Sequence, residues 1–373
     1  MHSIHFHYTL GHRDDNDSAL KNDAALLRHP LMDLLQAVAQ QGSISAAART
    51  LNLSYRHVWG ELKRWENELG HELIIWEKGQ SAKLTEFGDK LMWAERQTQA
   101  RLAPQLEALR ADLERTFAVA FDPAAHVLTL YASHDDALPR LREQAAADGL
   151  HLDIRFCGSV DAIRALNEGR CTIAGFHTQS QAADTSHTAK AYRDLLKPGL
   201  HKIIGFATRC QGLITAAGNP KGLHSLADVA HTRARFVQRS VGTGTRVLLD
   251  DLLAQAHLKL EDLNHLPDDE PSHTALAEAI ASGRCDVGLG IESTARARGL
   301  GFAPLVQEEF HLVCLKSALD TPATLALRQF LQAHTWQQVL NSLPGYQTQH
   351  SGEVQSLSKR LPWWTFKRAK KSI

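Results

Sequence analysis

The chain has no excess of charge. Its 41 Lys and Arg balance 41 Asp and Glu, so the overall electrostatics point to no polyanionic partner, and any such binding must be local. Cysteine is scarce: Cys157, Cys171, Cys210, Cys285 and Cys314 are odd in number and form no CxxC, which argues against a disulfide framework and a thiolate zinc site. No run of 18 apolar residues occurs, and the first residues lack the basic and apolar regions of a signal peptide. The expectation is a reduced, cytoplasmic protein with no membrane association. A GK[ST] phosphate loop, a nucleophile elbow, a paired-carboxylate motif and an HExxH ligand pair are also missing. No catalytic residue, no metal site and no cofactor is therefore expected, and the 21 histidines read mainly as surface or polar-core residues. Hydrophobic content of 43% and charged content of 22% are those of a globular chain, and 373 residues leave room for two or three domains.

What is present begins with Gly42 to Leu69, GSISAAARTLNLSYRHVWGELKRWENEL. Ser43 is an N-cap candidate for a first helix whose Ala46, Ala47, Ala48 and Leu51 admit close packing. Asn52 suits a left-handed turn position, and Ser54 is a second N-cap candidate. Behind it Tyr55, Val58, Leu62, Trp65 and Leu69 make one apolar stripe at helical spacing. Arg56, His57, Lys63 and Arg64 lie off that stripe. A helix with one buried face and one face of donors is what reading a DNA major groove requires. The alternative is a helical hairpin with a solvated charged face. Ahead of it, Pro30 followed by Leu31, Leu34, Leu35 and Val38 predicts a helix that completes a three-helix core. His2 to Leu10 alternates like a strand, and Gly11 to Lys21 is polar.

After Gly70, Leu73 to Trp76 is strand-like, Lys78-Gly79-Gln80-Ser81 is a turn, and Lys83-Leu84-Thr85 begins a return. Such a basic hairpin is a wing, with Lys78 and Lys83 positioned for phosphates. Thr85 to Phe117 then reads as one long helix. Leu102, Leu106, Leu109, Leu113 and Phe117 form a near-heptad seam that suits pairing with a second copy, and Pro104 interrupts it. A two-fold dimer of this kind matches a pseudo-palindromic site on double-stranded DNA.

Residues 30 to 117 resemble the winged helix-turn-helix and linker helix of LysR-type regulators. The pieces SISAAARTLNLS, ENELGHELI and KLTEFGDKL carry the resemblance. The run SYRHVW, from Ser54, is similar to molybdate-responsive regulators. The resemblance implies that Ser43, Ser54, Tyr55, Arg56, His57, Trp59, Lys63, Arg64, Lys78 and Lys83 hold or touch DNA.

From Val127 the pattern changes to strand–helix alternation, which implies a parallel sheet covered by helices. VLTLYAS, HLDIRFCGS and CTIAGFH are strands, with helices from about Asp136 to Ala147 and Asp161 to Asn167. Residues 178 to 201 read as a loop. A second series runs KIIGFATR, QGLITAAGNP and RFVQRS. It continues with helices from about Gly244 to Ala256 and Ser272 to Ala281, and ends in DVGLGIE. LNEGRC before TIAG and IASGRC before DVGLG echo each other, so two similar α/β lobes are expected. Phe302 to Lys316 looks like a returning strand pair and Pro322 to Leu340 like a helix. The tail from Lys359 to Lys371 is basic and holds Trp363, Trp364 and Phe366.

In open α/β lobes, ligands bind beyond the carboxyl ends of the strands. There the sequence places Ser133 and His134, Gly158 and Ser159, His177, and Ser272-His273. The strongest local signal is Arg239-Ser240-Val241-Gly242-Thr243-Gly244-Thr245-Arg246 at a helix start. Glycine backbone, hydroxyls, the helix start and two arginines suit a tetrahedral oxyanion or a carboxylate. The alternative is a glycine-rich turn with a capped helix. Residues 127 to 350 resemble the type II periplasmic-binding-protein fold, in the version fused to regulator DNA-binding domains and seen beside molybdopterin-biosynthesis proteins. The pieces GFATRCQGLITAAGNPKGL, RFVQRSVGTGTRVLLDDLL, HTALAEAIASGRCDVGLGIE and LPGYQT carry it, and RSVGTGT is similar to the anion loop of tungstate-binding proteins. The resemblance implies a sensor whose effector is molybdate or tungstate. Formate or a molybdopterin-related molecule stays open, because Asp268, Asp269 and Glu270 precede His273 and carboxylates repel a dianion.

The fold expected is therefore α/β: an N-terminal winged helix-turn-helix (1–84), a linker and dimerisation helix (85–121), then a two-lobed periplasmic-binding-protein-like domain (122–373). Lobe I takes about 122–207 and 306–373, and lobe II about 208–305. The expected ligand contacts are Ser133, His134, Ser159, His177, Arg239, Ser240, Gly242, Thr243, Gly244, Thr245, Arg246 and His273. The expected function is a dimeric, ligand-responsive transcription regulator. An architectural DNA binder and an enzyme built on the three histidines are the rivals from other classes.

Overall fold

The structure, a computed structural model, describes residues 29–76, 81–121, 126–180, 183–362, 364 and 365. The strand reading at His2 to Leu10, Lys78 in the wing, and most of the basic tail lie outside these residues. The chain divides into two compact units, Met1–Ala103 and Pro104–Ile373.

In the first unit, α1 (Pro30–Gln41), α2 (Ile44–Thr50) and α3 (Tyr55–Leu69) are followed by β1 (Ile74–Ile75), β2 (Lys83–Leu84) and the start of α4 (Glu86–Phe121). Ser43 and Ser54 cap α2 and α3 by accepting from the N–H of Ala46 and His57. Asn52 turns the chain at φ 53°. The core gathers Leu31, Leu34, Leu35, Val38, Ala47, Ala48, Val58, Leu62, Leu73 and Met92. Burying a leucine such as Leu62 contributes about 1.5–3 kcal/mol. The inward face of α3 differs from the expected stripe. It runs Val58, Leu62, Glu66, while Tyr55 stands 45% exposed. Glu66 is tolerated inside because its carboxylate accepts from the N–H of Leu73 (2.9 Å) and Ile74 (3.3 Å) and from Lys63 (2.5 Å). Strands β1 and β2 pair antiparallel, Ile74 with Leu84 and Ile75 with Lys83.

Helix α4 is 36 residues long, about 54 Å at the standard rise, and the two units divide within it at Pro104. In its second half Leu109, Leu113, Phe117 and Phe121 are exposed.

The second unit opens with β3 (His126–Ala132), α5 (Ala137–Ala147), β4 (Leu150–Phe156), α6 (Ser159–Asn167), β5 (Ile173–Gln179) and α7 (His187–Tyr192). It continues with β6 (His201–Thr215), α8 (Leu226–Thr232), β7 (Arg235–Arg239), α9 (Gly244–Gln255), β8 (Asn264–Glu270) and α10 (His273–Ala281). It ends with β9 (Val287–Ile291), α11 (Glu292–Arg296), β10 (Gly301–Leu315), α12 (Pro322–Gln332), α13 (His334–Asn341), β11 (Tyr346–Gln347), β12 (Val354–Ser356) and α14 (Leu357–Arg360). The sheet order is β4-β3-β5-β10-β6-β9-β7-β8, with β11 and β12 added on β6.

Each half of this sheet is parallel within itself, β4-β3-β5 on one side and β9-β7-β8 on the other. Two 15-residue strands, β6 and β10, run antiparallel through both halves and join them. This corrects two expectations. KIIGFATR and QGLITAA are one strand rather than two, and Phe302 to Lys316 is one strand rather than a pair. The bulge next to Pro304, which has no N–H to pair, bends that strand without ending it. Residues 178 to 201 are not all loop, since Ser186 caps α7. Pro322 to Leu340 is two helices, broken where Ala333 takes an extended backbone (ψ 137°). The echoed motifs do serve the same end in both lobes: Gly169 and Gly283 stop α6 and α10 at φ 73° and 72°.

Candidate functional site

On the first unit, α3 presents Tyr55, Arg56 and His57 to solvent. Lys83 is exposed on β2. Tyr55 stacks on Trp59 with ring centroids 6.4 Å apart, and Trp76, 52% exposed, meets Trp59 edge-on at 6.1 Å. The other two basic residues of the helix are partly engaged: Lys63 pairs with Glu66 and lies over Trp59, and Arg64 pairs with Glu61 and lies over Trp65. Ser43 and Ser54 act as caps. Trp76, beside this exposed face of α3, was not singled out in the sequence, where it looked only like the end of a strand-like run.

In the second unit the candidate residues converge where the two parallel halves of the sheet face each other. Strand β3 delivers Ser133 and His134, the start of α6 delivers Ser159, and β5 delivers His177. Strand β7 ends in Arg239, α9 carries Thr245, and α10 opens with His273. Ser133 and Ser159 share a hydrogen bond of 3.0 Å. Thr245 Oγ1 lies 3.4 Å from His273 Nε2 and accepts from Gln211 Nε2 at 3.2 Å.

Arg239 is buried. Its Nε donates to the carbonyl of Glu270 (3.1 Å) and its Nη2 to that of Pro271 (2.9 Å), while Nη1 has no partner among the described residues. Among the described residues no carboxylate pairs with it. Burial, and then the positive field of Arg209, bring its pKa down to about 9. Burial first and neighbouring positive charge second hold His177 and His273 well below the usual histidine range. In His134, burial lowers the pKa to about 4 although Asp136 works against it.

Sequence reasoning missed the floor of the site. Arg209 on β6 donates to Asp135 and to Glu308 (2.9 Å), Tyr346 donates to Asp135 (2.8 Å), and Gln211 donates to Glu308 (2.7 Å). All five are buried. Burial opposes the Arg209 charge, but the two carboxylates outweigh it and raise its pKa. The available signal was a charged residue in the middle of each of two apolar strands.

Several expected contacts sit elsewhere. Arg246 turns away to Gln238 Oε1 (2.6 Å) and Asp250 (3.4 Å), one of them its i,i+4 neighbour on α9. Thr243 caps α9 and donates to the carbonyl of Ser240 (2.8 Å). Ser240 lies against the carbonyl of Glu270. The acidic run does not crowd the site: Asp268 is exposed, and the Glu270 side chain pairs with Arg284.

The walls are in contact. A Cβ on Gly158 would lie 2.6 Å from the Gly242 carbonyl oxygen, and one on Gly244 would lie 3.1 Å from His177 Nδ1 and 3.2 Å from Ser159 Oγ. Two latches bracket the cleft. Asp251 on α9 accepts from the N–H of His187 (2.6 Å) and Thr188 (3.1 Å) on α7. Asp136 accepts from Ser293 (2.6 Å) and Thr294 (2.8 Å) on α11.

Among the described residues no group of His, Cys, Asp and Glu is placed to hold a metal ion, and no helix is long and apolar enough to cross a membrane.

Residues 141–332 match the PBP superfamily domain, and residues 30–89 match the bacterial regulatory helix-turn-helix proteins of the lysR family. The uncharacterized protein YvgK of Bacillus subtilis is 28% identical over 200 residues, which are 54% of this chain and 64% of YvgK, so under two thirds of that relative is spanned. Among solved structures, full-length CbnR complexed with its target DNA aligns at TM-score 0.39 and 16% identity, over 82% of this chain and 98% of CbnR. The effector binding domain of QuiR in complex with shikimate aligns at TM-score 0.42 and 14% identity, over 56% of this chain and 95% of that domain.

Proposed function

The chain belongs to the PBP superfamily, and from that premise, with its lysR-family helix-turn-helix ahead of it, we propose that it is a DNA-binding transcription regulator that senses a small anion. It is not read as an enzyme. The observation that carries the anion is Arg239, a buried guanidinium with no carboxylate partner and one unpaired Nη1, placed among the N-termini of α6, α9 and α10. Helix N-termini and a lone buried cation both favour negative charge. Molybdate or tungstate is the effector named first, since the closely set Gly158 and Gly242 favour a compact ligand over one of molybdopterin size. Formate is the second reading, because a single guanidinium matches a single carboxylate.

Ser133, Ser159, His177, Arg239, Thr245 and His273 would line this site. Arg56, His57 and Tyr55 would read the major groove, with Lys83 on phosphate. The exposed Leu109, Leu113, Phe117 and Phe121 of α4 would pair with a second copy, giving a dimer on a pseudo-palindromic operator in the cytoplasm. An anion that binds the latched form more tightly shifts the chain toward it, and that differential affinity is the signal.

Calorimetry of the purified chain with molybdate, tungstate and formate tests the reading, alongside operator binding with and without the anion. Heat from at least one anion and a change in operator affinity are expected. No heat from any of the three would leave an architectural DNA binder as the better account.

A further inference from the structure

The cleft holds hydrogen-bond acceptors as well as donors, and a bare oxyanion cannot satisfy acceptors. Gln211 spends its Nε2 on Glu308 and Thr245, so the amide orientation is set and Oε1 is left as an acceptor without a partner among the described residues. His177, stacked on Phe310 with centroids 4.1 Å apart, has no partner on either ring nitrogen among the described residues. A neutral imidazole offers one donor and one acceptor. Gln211 and His177 are both at least nine-tenths buried.

The charges point the same way. Around His177 stand Arg209 on β6 and Arg239 on β7. Against them are Asp135 and Asp136 after β3, and Glu308 on β10. His273 and His311 also act on it, His134 stands by His273, and Tyr192 lies on α7. Glu309 pairs with Arg360, Glu270 with Arg284 and Glu278 with Arg298, and Asp251 is held by the start of α7. Three carboxylates therefore already oppose the two arginines, so the positive charge left to meet a bare dianion is reduced.

We propose that the cleft takes up its anion together with one proton, held between an anion oxygen and His177, so that its ligand class is a hydrogen-oxyanion rather than a bare dianion. Gln211 Oε1, the other acceptor without a partner among the described residues, disfavours an unprotonated anion oxygen against it. This rests on the anion reading of the cleft. Burial and the two arginines hold His177 neutral until the anion arrives, which is why the proton enters with it. The linkage sign follows: each proton bound with the ligand weakens affinity about tenfold per unit rise in pH.

The test is calorimetry of the full chain with tungstate and molybdate at about pH 6.5, 7.5 and 8.5, in two buffers of different ionisation heat. About one proton per anion and a tenfold fall in affinity per pH unit are expected. His177→Phe, which keeps the stacking on Phe310, should flatten the pH slope and bring the proton uptake per anion well below one. Buffer-independent heats and pH-independent affinity, with the anion still bound by the unsubstituted chain, would overturn the proposal, and that measurement does not depend on the variant folding. Binding of no anion at any pH would instead remove the anion reading, and this inference with it.

Discussion

Replacing Arg239 by methionine separates a ligand contact from a structural clamp. In the ligand-free chain the charged guanidinium is disfavoured: its pKa falls from 12.5 to about 9, which at about 1.36 kcal/mol per tenfold is roughly 5 kcal/mol as a ceiling. Methionine removes that burden and keeps an apolar stem of similar length. It also removes the Arg239 donor from the carbonyl of Pro271 and from that of Glu270, which keeps Ser240, at about 1–3 kcal/mol for each bond lost. The two effects offset to within a few kcal/mol, so the melting temperature without ligand should move by only a few degrees. Binding should respond differently. Loss of a charge-assisted contact costs about 1.5–3 kcal/mol, a fall in affinity of roughly 10- to 150-fold. In a thermal-shift assay at an anion concentration about 100 times the parent dissociation constant, the parent chain gains about 2.7 kcal/mol and the variant only about 0.3–1.4 kcal/mol. Operator binding without anion should be unchanged. A variant that lost more than about 4 kcal/mol on its own, yet gained as much from the anion as the parent, would refute the reasoning.

Other substitutions probe the remaining parts. Gly158→Ala puts a Cβ 2.6 Å from the Gly242 carbonyl oxygen, so the walls should be forced apart and calorimetry should show at least about tenfold weaker anion binding. Glu66→Ala removes the acceptor for Leu73 and Ile74 and should cost the first unit about 2–3 kcal/mol, read as faster hydrogen exchange at those amides. Burial raises the Glu66 pKa, but hydrogen bonds from Lys63, Leu73 and Ile74 outweigh it and hold it below 4.5. Its stabilisation is therefore full above that value and is lost as pH falls through the folded pKa, so acid should loosen this unit less steeply in Glu66→Gln than in the parent chain. Arg56→Ala should weaken operator binding by about 1–3 kcal/mol and relax specificity, whereas Lys83→Ala should weaken all sequences alike and reduce the salt slope by about one.

The first unit was legible because its signals are local. Caps at Ser43 and Ser54, the turn at Asn52 and the i,i+4 spacing of Val58 and Leu62 act within a few residues of each other. Glu66 was not legible, since what makes it tolerable inside is a pair of N–H groups on the next segment. In the second unit the strand–helix alternation announced two α/β lobes, but the long strands were cut in two. Each carries polar residues at its middle, Arg209 and Gln211 in β6 and Glu308 in β10, which read as breaks in an apolar pattern.

The loop from Arg239 to Arg246 was found from its glycines and hydroxyls, and Arg239 and Thr245 do reach the cleft. Arg246 does not, because an arginine in the first turn of a helix can equally meet the residue four positions on. What the sequence determined by itself was the type of the main helices and strands, the caps at Ser43 and Ser54, and the strand ends where a ligand would be met, because these follow from neighbours along the chain. Only the tertiary structure decided that Asp135, Arg209, Glu308 and Tyr346 share one buried network, and that Arg239 stays without a carboxylate beside it. Those pairings join strands up to 211 positions apart, and no periodicity along the chain encodes which buried charge will be neutralised and which left open for a ligand.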